Sequence, residues 1–327
     1  MHNNTFKKHT FTNAAELWVQ SRKGHWKPGT YTVYMQRLTK YILPFFGNMK
    51  LNRITEDTME NFVSYLTAPS NVSPLSSNYI SQICGTVRRI LIYTENKYHC
   101  GISVPSNPAA KSRSGRIVLP SNDSLDLLEH YLLIHCEEDT CLGILIAFHT
   151  GIRIGELSAL TWHDIDLKEG LIYIRKNLLR VKDETARQSS GRKMTQIVKQ
   201  SPKTSDSVRT VPLPEKLLPL LQQYKKDISL YVVSGVKKPW AEPRTIQYRF
   251  KNILEKCGIE YFNFHMLRHA FATRCVSIGL DIKSLSEILG HSSIQITLNL
   301  YVHTTVQQKK IFMRQYNSFF QHTSQTL

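Results

Sequence analysis

The sequence predicts a mainly α-helical protein with a small antiparallel β-sheet, arranged as two domains. Three observations carry that prediction. The chain has 327 residues, of which 41% are hydrophobic, enough apolar material for more than one core. Apolar residues recur at helical spacing over most of its length, whereas strand-like alternation is confined to the stretch between residues 171 and 213. Around residues 105–115 the chain reads PSNPAAKSRSG, rich in proline, serine and small residues, the composition of a linker. The expected division is a helical domain at 1–105, a linker at 106–118 and a mixed domain at 119–327.

Four helices account for the first domain. Thr12 or Asn13 can cap the first, which runs to about Lys23. Pro28 stands in the first turn of the second, whose Tyr31, Tyr34, Leu38 and Ile42 repeat at helical spacing until Pro44 is expected to stop it. Thr55 caps the third, over 56–66, with Glu56 and Asp57 in its first turn, where negative charge suits the helix dipole. The fourth, about 76–97, turns Ile80, Ile83, Val87 and Ile90 to one face and Asn78, Gln82 and Arg89 to the other.

The second domain mixes both periods. Residues 125–136, 141–148 and 154–160 read as helices, the last two separated by a break at Thr150-Gly151. Strands are expected at 171–175, 196–199 and 208–213, with DETARQSSGRK at 183–193 as the exposed tip of a long hairpin. Helices resume at 215–224 and 244–256, then at 266–278 and 282–289. Gly279 ends one of these, Asp281 caps the next and Gly290 ends it. His149 fits no reactive pattern and is read as a satisfied core or shelf histidine.

Charge narrows the function. Lys and Arg number 42 against 25 Asp and Glu, a formal net charge of +17. Such an excess does nothing for a core and favours a polyanionic partner, nucleic acid before an anionic membrane. Residues 1–116 hold 15 of the basic and 5 of the acidic residues, more than half of the surplus in about a third of the chain. Lys27, Arg37, Gln82, Arg88 and Arg89 are therefore candidate DNA contacts, on a face that suits a major groove; an ordinary solvated face is the alternative. No apolar run approaches the roughly 20 residues that span a bilayer, and the basic start MHNNTFKKHTFTN is not followed by a signal-peptide segment. The six cysteines form no C-x-x-C pair, which suits reduced thiols in a cytoplasmic protein.

The chemistry concentrates in five ordered blocks. His265, Arg268 and His269 share one helix face at i, i+3 and i+4. A metal pair at His265/His269 is disfavoured, since no glutamate of an H-E-x-x-H pattern is present and Arg268 would set a fixed cation beside the metal. The other blocks are T-G-x-R-x-x-E-L around Arg153, a turn lysine at Lys203 with Lys199 as its rival, L-G-H at 289–291, and Tyr301 ten residues beyond His291. In this order and spacing the chain resembles the tyrosine recombinases, the phage-type integrases of phages and integrative mobile elements. The resemblance covers the second domain, and the four-helix pattern is similar to the family's SAM-like core-binding domain.

The resemblance implies a catalytic set. Arg153 and Arg268 would clamp the scissile phosphate, a role for which arginine's permanent charge and planar fork are suited. Tyr301 would be the nucleophile, forming a 3′-phosphotyrosine and freeing a 5′-hydroxyl; an unassisted phenol, with a pKa of about 10, needs its proton removed. His265 would accept that proton or donate to the transition state, Lys203 would protonate the departing 5′-oxygen, and His291 would bond a nonbridging oxygen. Glu156 and His269 would orient the clamp from beneath. The resemblance implies no metal, no ATP and no other cofactor. Its partners would be double-stranded recombination sites, copies of the chain forming a tetramer in synapsis, and a helper such as an excisionase or DNA-bending protein.

Two features stand beside this pattern. The helical domain begins near Phe11, which is expected to leave no room before it for an arm-binding domain of the kind many integrases carry; the expectation is a protein that works without arm sites, with a truncated form as the alternative. The segment 306–320, with bulky Ile311, Phe312, Tyr316, Phe319 and Phe320, is expected to dock on a neighbouring subunit, folding back on its own core being the alternative. The rival readings are a type IB topoisomerase-like enzyme and a catalytically inactive DNA-binding regulator of the same fold.

Overall fold

The computed structural model describes residues 9–68, 74–111, 119–182, 195–200, 208–290 and 313–314. The chain divides into two compact units, Met1–Ile117 grouped with Arg180–Gln196, and Val118–Leu179 with Ile197–Leu327.

The first unit is helical. Helix α1 (Phe11–Arg22) starts after Thr10, whose backbone N–H and hydroxyl both donate to Asn13 Oδ1, so the cap is Thr10 rather than the expected Thr12 or Asn13. Helix α2 (Pro28–Arg37) does not stop at Pro44. A wide turn over Leu38–Ile42 carries it into the short α3 (Leu43–Phe46), with the Leu43 N–H reaching back five residues to Leu38 O. Pro44 then sits in a first turn, where a missing N–H costs nothing. Thr55 caps α4 (Glu56–Thr67) and Ser76 caps α5 (Ser77–Tyr98), each accepting from an N–H three residues on. Phe11, Phe46 and Phe62 meet ring to ring in the core, at centroid separations of 5.5 and 4.7 Å.

The second unit is built around α7 (Asp139–Thr150), which reads DTCLGILIAFHT and is buried over nearly its whole length. Helices α6 (Asn122–Ile134) and α11 (His265–Ser277) pack against it, while α10 (Pro243–Lys256) covers α8 (Ile154–Ala159). Strands β1 (Ile165–Asp166), β2 (Leu171–Ile174) and β5 (Arg209–Pro212) form an antiparallel sheet with β2 central, Ile172 facing Ile165 on one side and Val211 on the other. Strands β3 (Asn177–Lys182) and β4 (Thr195–Gln200) form a separate two-stranded sheet, of which residues 177–179 and 197–200 belong to this unit. The expected hairpin tip between them lies outside the described residues. Helices α9 (Leu218–Gln223) and α12 (Ile282–Leu289) complete the unit, and Asp281 Oδ1 caps α12 as expected. Among the described residues no disulfide joins the cysteines, and no helix is long and apolar enough to cross a membrane.

Candidate active site

Two left-handed glycines shape the site. Gly151, at φ +64°, ends α7 and turns the chain so that Arg153 becomes the N-cap of α8. A Cβ there would lie 2.6 Å from the Phe271 ring and 2.9 Å from Leu289. Gly290, at φ +62°, ends α12. Its bare Cα lets Arg209 lie against it, since a Cβ would stand 2.9 Å from Arg209 Cδ.

The end of α12 is where the arginines gather. Ile288 O accepts from Arg209 Nε at 2.6 Å, Leu289 O from Arg268 Nη2 at 2.6 Å, and Gly290 O from Arg153 Nη2 at 2.9 Å. Three consecutive carbonyls thus take three different guanidiniums. The last carbonyls of a helix lack intrahelical donors and carry the negative end of its dipole, so cations are their natural partners. Arg268 Nη1 also donates to Gly151 O at 2.8 Å, tying the start of one element to the end of another.

Glu156 lies among the cations and is almost fully buried. Its Oε2 accepts the Arg153 backbone N–H at 2.8 Å, and its Oε1 accepts Arg153 Nη1 at 2.9 Å. Arg209 bonds the same carboxylate from the other side, Nη1 to Oε1 and Nη2 to Oε2, both at 2.9 Å. Burial works to raise the Glu156 pKa, but the bonds and charge of Arg209, with those of Arg153, outweigh it and hold the carboxyl below its ordinary value. Glu156 is therefore ionised at neutral pH. Burial and the charge of Arg153 push Arg268 down to about 9, still well above neutrality, so this guanidinium remains a cation.

His265 and His269 meet edge to face, with ring centroids 4.8 Å apart. His265 keeps an open side to solvent, yet desolvation, followed by His269, Arg268 and Arg153, pushes its pKa down to about 4. His269 is lowered too, by burial and then by Arg268. Both rings are neutral at pH 7 and each keeps a nitrogen lone pair.

The expected residues divide accordingly. Arg153, Glu156, Arg268, His265 and His269 come together in the second unit; Lys203, His291 and Tyr301 lie outside the described residues. His149 is half-buried and pairs with Glu129 across 3.2 Å, as a satisfied shelf histidine should. In the first unit, Gln82 and Arg89 are exposed on α5, Arg89 donating to the Tyr34 hydroxyl at 2.8 Å, while Arg88 Nε is engaged by Pro105 O at 2.7 Å. Lys27 is half-buried at the start of α2. Arg37 departs from its expected role as a DNA contact. It is buried between the Tyr34 and Tyr79 rings and donates to Gln82 Oε1, so it braces α2 against α5 instead of facing a groove.

Arg209 is the site residue that sequence reasoning missed. The alternation of 208–213 indicated a strand, and Arg209 shares the inward phase with buried Val211. A charged residue on the buried phase of a strand requires a buried counter-ion, and that was the available signal. The glycine supports a direct test. Gly290→Ala is expected to cost about 1–2 kcal/mol from backbone strain, plus the displacement of Arg209, and thermal melting against wild type measures it.

Comparison with known proteins identifies the family of the chain. Residues 121–308 match the phage integrase family, and residues 10–67 match the phage integrase N-terminal SAM-like domain. A tyrosine recombinase XerC-like protein of Caldanaerobacter subterraneus subsp. tengcongensis is 33% identical over 193 residues, 54% of this chain and 48% of that protein. Prophage integrase IntR of Escherichia coli K12 is 26% identical over 254 residues, 68% of this chain and 56% of that protein. The chain thus spans about half the length of the curated relatives it matches. Among solved structures, the Tn1549 transposon integrase in complex with a circular intermediate DNA has the same fold, with a TM-score of 0.74 at 19% identity, covering 94% of this chain and 99% of that one. A lambda integrase dimer bound to a core site gives 0.58 at 16% identity, covering 91% and 78%. The match over 121–308 takes in more than half of the sequence and encloses the whole arginine-centred cluster, and on that ground the chain belongs to the phage integrase family.

Proposed function

We propose that the protein is a site-specific DNA recombinase that cuts and rejoins duplex DNA through a 3′-phosphotyrosyl intermediate. The observation that carries this reading is the seating of Arg153 and Arg268 on neighbouring carbonyls, Gly290 and Leu289, beside the neutral ring of His265. Arg153 keeps about a third of its side chain exposed, at 35%, so part of its fork remains open to an incoming anion.

A phosphodiester under attack gathers charge on its nonbridging oxygens, and fixed cationic donors stabilise that charge without reorganising. Tyr301 Oη attacks the phosphorus; its proton passes to His265, and the P–O5′ bond breaks as Lys203 protonates the departing oxygen. His291 donates to a nonbridging oxygen. Burial first, and then His269, Arg268 and Arg153, hold the free His265 ring at a low pKa; the bound phosphate offsets the cationic part, which makes the ring a better base. The phosphotyrosine conserves the energy of the broken linkage, so attack by another 5′-hydroxyl reseals the strand without ATP. Copies of the chain would act together on two duplex sites, a helper protein bending the DNA, with the tail at 306–320 docking between subunits.

The test uses a nicked duplex selected for binding from a random-sequence pool. Wild type should form a covalent protein–DNA band on a denaturing gel, and Tyr301→Phe should form none. Adducts on every unrelated duplex alike would point to a topoisomerase; no adduct on any selected sequence would point to a binding regulator and sink the proposal.

A further inference from the structure

We propose that Arg209 is a positioning residue for Arg153: its bonds to Glu156 and to the Ile288 carbonyl hold the carboxylate and the end of α12 in the geometry that aims Arg153 outward. The inference rests on the recombinase reading and names a residue that reading does not use.

The first argument is saturation of the carboxylate. An ionised carboxylate offers about four lone-pair sites. Glu156 receives four donors, two from Arg153 and two from Arg209, at 2.8 to 2.9 Å. With Arg209 gone, half of those sites fall empty in a buried group, and the carboxyl plane is free to turn. Arg153 Nη1 turns with it, because that nitrogen is bonded to one of the same oxygens.

The second argument is the carbonyl ladder. Among the described residues the Arg153 guanidinium has one other anchor, Gly290 O, two residues beyond the carbonyl that Arg209 holds. Gly290 also packs against the Arg209 side chain, so removing that side chain loosens the turn that carries the second anchor. Both supports of Arg153 therefore lead back to Arg209.

The Arg209 side chain is only 5% exposed, and Nε, Nη1 and Nη2 are each engaged inside the protein. Among the described residues these three bonds turn its nitrogens to Glu156 and to the end of α12, the two supports of Arg153. Lysine cannot replace it, because one ammonium cannot grip two carboxylate oxygens and a carbonyl in a single plane.

The experiment compares full-length wild type, Arg209→Met and Arg209→Lys by thermal melting, DNA affinity, single-turnover cleavage of the nicked duplex, and NMR titration of the His265 ring. In the methionine variant, folded at the assay temperature, DNA affinity should stay within about twofold while cleavage slows about 10- to 100-fold, the usual penalty for removing a group that orients another. Arg209→Lys should restore little of that loss. The His265 pKa, pushed down to about 4 by burial first, then by His269, Arg268 and, least, Arg153, should rise by that last share as Arg153 leaves its place.

The titration reads the position of Arg153 without any DNA. It therefore judges this inference even where wild type forms no covalent adduct and the recombinase reading itself has failed. If Arg209→Met does not fold, Arg209→Lys carries the same two measurements. Cleavage within about twofold of wild type, or a His265 titration that does not move, overturns the proposal; a loss of cleavage matched by an equal loss of DNA affinity reduces Arg209 to a structural ion pair and overturns it too.

Discussion

Replacing Arg268 with methionine is expected to slow strand cleavage by about 100- to 1000-fold, the penalty for removing one preorganised donor from a developing oxyanion. Methionine fills a similar length of the buried channel, so the effect is not that of a cavity. Gly151 O and Leu289 O lose their donors, which should also lower stability by about 1–3 kcal/mol for each carbonyl left without a partner. The two effects are separable. Single-turnover cleavage at saturating protein reads the first and thermal melting the second. A variant that melts lower yet cleaves within about threefold of wild type would remove Arg268 from the phosphate clamp.

Glu156→Ala should be the most damaging substitution for the fold of the second unit. It leaves Arg209 buried beside Arg153 with no counter-ion, and breaking a buried pair on one side costs about 3–5 kcal/mol. For a unit of this size that corresponds to a fall of roughly 10 °C in melting temperature. Glu156→Gln keeps the shape and one acceptor, and should fall between the two. The pH dependence has a definite sign. Because the folded pKa of Glu156 lies below the ordinary value, its contribution is fully present above about pH 4.3, the unfolded value, and fades as pH drops through the folded one. Wild type should therefore lose stability relative to Glu156→Gln only in acid, and curves that stay parallel from pH 7 to pH 3 would contradict the pairing.

Much of this architecture was legible in the sequence because periodicity records burial. Helices α5, α10 and α12 and strands β2 and β5 are where their apolar spacing puts them, and Asp281 and Gly290 bound α12 as cap and stop. Pro44 misled because a wide turn upstream absorbed its missing N–H, a device that leaves no mark in residue spacing. Strand β1, two residues long, is too short to alternate. The grouping of Arg153, Glu156, Arg268 and the two histidines is what the resemblance carried by the ordered blocks implies. The place of Arg209 depended on which phase of a strand turns inward, and that of Arg37 on a ring contributed by a distant helix, Tyr79 of α5. Both are facts of tertiary packing, and local pattern does not encode them.

The run of acceptors from Ile288 to Gly290 makes α12 a ruler. One residue inserted there would swing every following carbonyl by about 100° and hand each guanidinium its neighbour's acceptor. The segment is thus locked in length far more than in composition. On the same helix Lys283 and Glu287 point to solvent, and their identities can drift without disturbing the count.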